Sequence, residues 1–122
     1  AKNHFNIYNE MENYWKEVFD GGGIAGTSRQ PRTAIGATAD GKLILLVCDG
    51  RNMRGSAGFT LAELADKLIA LGAVDAVNLD GGGSSTMVGS DGKVLNRPSD
   101  TGSAEVIVER KISTAVVISE VN

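Results

Sequence analysis

Two short strings carry the residue types that could do chemistry: Cys48-Asp49-Gly50-Arg51 and Asp80-Gly81-Gly82-Gly83-Ser84-Ser85. Each closes an apolar run, and each joins a carboxylate to glycine and to a polar or cationic group. Three glycines in a row strip side chains from the floor of a pocket, so that backbone N–H groups can approach an anion directly. A tight turn alone needs only one residue at positive φ. Ser84, Ser85 and Thr86 add hydroxyl donors, and Asp80 either caps a turn or presents a carboxylate to a ligand. Arg32, Arg51 and Arg97 each stand beside a turn or loop. A guanidinium grips a phosphate or carboxylate through two parallel hydrogen bonds, although an arginine taken at random is a solvated surface group.

Other chemistries lack their parts. No Lys follows the glycines, so a P-loop is absent, and G-x-S-x-G, the nucleophile elbow, does not occur. His4 is the sole histidine and lies in the N-terminal tail, which argues against a Ser-His-Asp triad. A zinc site lacks ligands. Cys48 ends an apolar strand and reads as a small core residue rather than a nucleophile. A hard cation such as Ca²⁺ at Asp80 or Asp49 stays open, with nothing in the sequence to support it.

These groups need elements to position them. Residues Ile7 to Phe19 have the three-four spacing of a helix, and Gly21-Gly22-Gly23 ends it. A strand is expected over Thr33 to Ala39, a two-residue hairpin turn at Asp40-Gly41, and a strand over Lys42 to Cys48. The nearly all-apolar Lys42–Cys48 run predicts a central strand buried on both faces. Thr60-Leu61-Ala62-Glu63 has the form of a capping box, and the helix it opens stops at Gly72. Val74 to Leu79 resumes a strand. Strand, helix and strand together predict a right-handed parallel βαβ crossover. Both chemical strings would then lie at the carboxyl edge of the sheet, where open α/β sheets bind ligands. A hairpin turning at Asp91-Gly92 and closing strands around Glu105 to Val108 and Ile112 to Ser119 complete the chain. The expected class is α/β or α+β: a mixed sheet containing a parallel βαβ unit, flanked by helices.

The chain has 122 residues with a formal net charge of −3, and 5% of them are aromatic. A nucleic-acid binder ordinarily has a basic surface, and a single-strand platform needs aromatics. Hydrophobic residues make up 42%, enough for a packed core, with no run long enough to span a membrane. The length predicts a single domain over 1–122. The lone Cys48 forms no internal disulfide, and no signal peptide opens the chain.

Pro31-Arg32-Thr33-Ala34-Ile35-Gly36, Asp49-Gly50-Arg51, Asn78 through Met87, Asn96-Arg97-Pro98-Ser99-Asp100 and Glu109-Arg110 together resemble the phosphodiester glycosidase domain. That is the family of the lysosomal uncovering enzyme and of many secreted or exopolysaccharide-linked bacterial proteins. The resemblance runs from about 31 to 118, so the family's N-terminal portion is expected to be missing. It implies hydrolysis between an anomeric carbon and a phosphodiester oxygen, with no cofactor. Positive charge then builds on the sugar ring beside carboxylates, here Asp80 with Asp49 or Asp100 as partner. The departing phosphate would be held by Arg32, Arg51 and Arg97 and by the Gly81, Gly82, Gly83, Ser84 and Ser85 segment. The same resemblance puts Thr33 and Asn96 against substrate, and it implies a secreted or extracytoplasmic location. The expected partner is a sugar phosphodiester or an anionic glycan. Two other readings stand beside hydrolysis. One is a binding module that keeps the pocket without turnover. The other is an assembly role through self-association or pairing with the missing segment.

Overall fold

A computed structural model of the protein describes residues 26–100 and 107–121. Its framework is three strands and one helix: β1 (Arg32–Thr38), β2 (Leu43–Cys48), α1 (Leu61–Ala70) and β3 (Ala73–Asn78). The sheet order is β2-β1-β3. β1 pairs antiparallel with β2, with Arg32 opposite Cys48 and Ala37 opposite Leu43. It pairs antiparallel with β3 as well, with Ala34 opposite Asn78.

This corrects the expected parallel βαβ unit flanked by helices: the sheet is antiparallel, and α1 is the one α-helix among the described residues. The physical reason lies in the β1–β2 hairpin. It fixes β1 antiparallel to β2 and leaves the far edge of β1 open. The α1 crossover carries β3 past β2 to that edge instead of laying it beside β2. β2 and β3 consequently run in the same direction but are held apart by β1, about 10 Å at two strand spacings. Their carboxyl ends share one rim with the start of β1.

The expected central strand also moves. β1 is central, and β2 lies at a sheet edge with Leu43 and Leu45 51% and 42% exposed. The hairpin turn has three residues, not two. Thr38 N–H donates to the Lys42 carbonyl at 2.9 Å, leaving Ala39-Asp40-Gly41 as the loop, and Gly41 takes φ +86° at its end. This is the familiar type I turn closed by a left-handed residue.

α1 forms as its sequence dictates. The Thr60 hydroxyl accepts from Glu63 N–H at 3.1 Å, and the Glu63 carboxylate accepts from Thr60 N–H at 3.0 Å. Leu61, Leu64, Ala65 and Leu68 are buried, and they pack on Ala34, Ala73, Ile44, Leu46 and Ala76 of the facing sheet surface and on Phe59 of the preceding loop. Gly72 follows the helix at φ +96°, the conformation in which a helix end is closed cheaply by glycine.

Beyond β3 the chain makes a single 3₁₀ turn, Gly82–Ser84, and then a hairpin with one bridge, Val88 to Val94. Of the expected closing strands, Val108 makes one parallel bridge to Ser99, and the 112–119 segment is exposed with no strand pairing among the described residues. The expected helix over 7–19 and the start of the 105–108 strand lie outside the described residues. Among those described, no helix is long and apolar enough to cross a membrane.

Candidate functional site

Pro31 is the pivot of the shared rim. A Cβ on Gly50 would lie 2.7 Å from Pro31 N, and one on Gly81 would lie 2.8 Å from the Pro31 carbonyl oxygen. Both strand-end loops therefore close on the residue that opens β1, and only glycine permits the approach. Gly82 N–H donates to that same carbonyl at 2.9 Å.

Asp49 clamps the two loops together. Its Oδ1 accepts from Asn96 Nδ2 at 3.0 Å and from Arg97 N–H at 2.9 Å. Asn96 Nδ2 also donates to the Ser85 carbonyl at 2.8 Å, and its Oδ1 accepts from Met87 N–H at 2.8 Å. Asn96 thus uses both ends of its amide to tie the glycine-rich segment to Asp49. Ser85, 1% exposed, accepts from the Thr33 hydroxyl at 2.9 Å. Thr33, Asp49, Ser85 and Asn96, four of the residues singled out from sequence, form one continuous network.

The arginines separate into two kinds. Arg32 is 3% exposed, and it donates to the Phe59 carbonyl at 2.8 Å and the Ser28 carbonyl at 2.9 Å. Burial pushes its pKa down. It supports the loop from beneath. Arg51 is exposed and sits over the 3₁₀ turn, its Nη2 3.0 Å from the place a Cβ on Gly82 would take. Long hydrogen bonds of 3.4 Å join it to Gln30 Oε1 and the Ser99 carbonyl. No carboxylate pairs with Arg51 or Arg97 among the described residues. Arg51, Asn52 and Arg54 all have left-handed backbones, at φ 53°, 65° and 51°. Such strain in side-chain-bearing residues gathers where a loop is shaped for function.

The carboxylates differ too. Asp80 is exposed at the rim. Asp100 Oδ1 accepts from Arg110 Nε at 2.7 Å, and Arg110 Nη1 donates to Ser84 Oγ at 3.1 Å. Of the backbone donors in the 81–85 segment, those of Gly82, Ser84 and Ser85 are satisfied by Pro31, Gly81 and Gly82 carbonyls. The Gly81 and Gly83 N–H groups have no acceptor among the described residues, and Gly83 is buried beneath Arg110 and Asp100. Two buried polar atoms, Asn78 Oδ1 and Ser99 Oγ, also lack a partner there.

Cys48 is half-buried and its thiol donates to the Asp49 carbonyl. Burial, then the nearby Asp49 charge, pushes its pKa up, which keeps it a thiol and not a nucleophile. Among the described residues no three His, Cys, Asp or Glu converge to hold a metal ion. Gln30 and Arg110 touch the site but were not among the expected site residues. Arg110 sits in a resembling Glu109-Arg110 pair, which was the available signal; Gln30 had none.

A family model described as phosphodiester glycosidase matches residues 7–119. The SPbeta prophage-derived uncharacterized protein YomE of Bacillus subtilis (strain 168) is 36% identical over 91 residues, 75% of this chain and 13% of that protein. The N-acetylglucosamine-1-phosphodiester alpha-N-acetylglucosaminidases of Bos taurus and Homo sapiens are each 39% identical over 90 residues. Those matches cover 73% of this chain and 16% and 17% of the two relatives. The chain therefore spans less than a fifth of the length of these curated relatives. Among solved structures, the exported protein BPSS2145 of Burkholderia pseudomallei K96243 aligns with a TM-score of 0.56 at 49% identity. It covers 60% of this chain and 14% of that one. The zebrafish N-acetylglucosamine-1-phosphodiester alpha-N-acetylglucosaminidase catalytic domain, auto-inhibited by its pro-peptide, aligns with a TM-score of 0.51 at 38% identity. It covers 58% of this chain and 22% of that one.

Proposed function

Because this chain belongs to the phosphodiester glycosidase family, we propose that it hydrolyses the bond between a sugar's anomeric carbon and a phosphodiester. The observation that carries this reading is the meeting at one rim of a carboxylate, a guanidinium with no carboxylate partner among the described residues, and a glycine-rich turn. Asp80, exposed and beside that turn, would face the positive charge that grows on the ring as the bond breaks. Arg51 and Arg97 would take the phosphate, helped by the Gly81 N–H group, while Arg32 supports the loop from below. The leaving phosphate is a stable anion, so charge stabilisation matters more here than protonation. Asp49, Thr33, Ser85 and Asn96 hold this arrangement, and Ser84 donates to the sugar or phosphate. Similarity to an exported bacterial protein supports an extracytoplasmic setting, and similarity to N-acetylglucosamine-1-phosphodiester glycosidases supports a sugar phosphodiester or anionic glycan as partner.

The experiment is turnover of a sugar 1-phosphodiester by the purified chain. Asp80→Asn is expected to lower kcat by about 10²–10⁴-fold, the range for a positioned acid–base or charge-stabilising group. Wild type indistinguishable from buffer rejects hydrolysis by this chain. A second reading, a binding module without turnover, draws on Asp49, Thr33, Ser85 and Asn96, the four candidate residues that are hydrogen-bonded to one another as a framework. It expects a sugar 1-phosphate to raise the melting temperature without being consumed.

A further inference from the structure

We propose that Arg110 is a positioning residue of this site, holding the Asp100 carboxylate and the Ser84 hydroxyl in one fixed relation. The proposal rests on the hydrolase reading above. The parallel bridge between Ser99 and Val108 brings Arg110 beside Asp100. The guanidinium then reaches two loops at once, Nε to Asp100 Oδ1 at 2.7 Å and Nη1 to Ser84 Oγ at 3.1 Å. Its third nitrogen fills the space over Gly83, where a Cβ would lie 2.6 Å from Nη2 and 2.8 Å from Asp100 Oδ1.

Three physical points give this fork its meaning. Arginine only donates, so Ser84 Oγ must accept from it. The serine's own proton is thereby freed to donate to a ligand oxygen. Asp100 has one oxygen held by Arg110, and its other oxygen has no partner among the described residues. The pair is too exposed to matter much for stability, with side chains 41% and 31% accessible. Its consequence is geometric: Asp100 and Ser84 cannot drift apart while the guanidinium spans them, and a planar fork fixes direction as well as distance.

The test uses the full 122-residue chain. Arg110→Ala is expected to lower kcat for a sugar 1-phosphodiester about 10–100-fold, the cost of misplacing groups by an ångström, with KM within about threefold. Arg110→Lys keeps the charge without the fork and recovers only part of the loss. Asp100→Asn shows a like loss, and the Asp100→Asn/Arg110→Ala double variant falls no further, because the two act as a unit. Lys111→Ala, an exposed neighbour, behaves as wild type. Circular dichroism checks the fold, and Arg110→Lys carries the comparison if Arg110→Ala does not fold. Full activity in Arg110→Ala, a loss confined to KM, or multiplied losses in the double variant overturn the proposal. If wild type fails to turn over, hydrolysis is rejected, and amide NMR titration with a sugar 1-phosphate judges Arg110 separately. There Arg110→Ala is expected to weaken binding about threefold, read through the Gly83 and Ser84 resonances. Unchanged affinity, or no binding by wild type, overturns the positioning role.

Discussion

Gly83→Ala puts a methyl group where Arg110 Nη2 and Asp100 Oδ1 already stand, 2.6 and 2.8 Å away. The methyl must displace the ion pair, and overpacking of this kind costs about 1–3 kcal/mol. Thermal melting should show that loss, together with lost turnover. Glycine here serves the arginine opposite rather than the flexibility of the turn. At this scale much was legible. Asp49 and Ser85 stand out by type and neighbourhood, Thr33 and Asn96 only through the family resemblance, and the four meet in one hydrogen-bonded network. What spacing does not reveal is direction. Arg32 and Arg51 look alike as residues beside loops. One opens β1 on the face it shares with Ala34 and is turned inward onto carbonyls, whereas the other follows β2 in a left-handed loop and lies outward over Gly82. Arg110 was seen as a motif element only, since its partner lies ten residues back across a bridge.

The elements with local signatures came through best. The Thr60–Glu63 capping box closes in both directions, and Thr60→Ala should cost about 1 kcal/mol by urea denaturation. Glu63 also pairs with Arg29 at 3.0 Å. The Arg29 hydrogen bond, then the Thr60 N–H, draws its pKa down from 4.5 to about 2. A depressed carboxylate stabilises the fold fully above its unfolded value and loses that contribution as pH falls through its folded value. The difference in stability between wild type and Glu63→Gln should therefore be constant above about pH 5 and vanish toward about pH 2. Salt should shrink it, because the pair is exposed. The β1–β2 hairpin was legible from Asp40-Gly41, though not its loop length. Thr38 and Lys42 close it with a side-chain-assisted bond that composition does not announce.

For the whole molecule, the pairing partner of β3 was the illegible step. The apolar pattern of Leu43 to Val47 is compatible with a central or an edge strand, and periodicity cannot say which edge of a hairpin a later strand joins. The rim survives that correction because β2 and β3 still run the same way. The sheet is loaded unequally. Ala34, Ile44, Leu46 and Ala76 face α1, whereas Leu43, Leu45 and Val77, 51%, 42% and 51% exposed, lie on the other side. Leu68→Ala should accordingly cost about 2–5 kcal/mol, the range for a buried leucine, and Leu45→Ala less than about 1 kcal/mol. Comparable losses in urea titration would mean that the second face is covered in solution.

The left-handed run at Arg51, Asn52 and Arg54 sets thermal robustness against ligand affinity. Glycine adopts that backbone without steric penalty, so Arg54→Gly and Asn52→Gly should each gain a few tenths to about 1 kcal/mol. Arg51→Gly should gain as much and lose the anion. A laboratory screen for heat survival alone would enrich all three and remove the arginine to which the proposed phosphate contact is assigned.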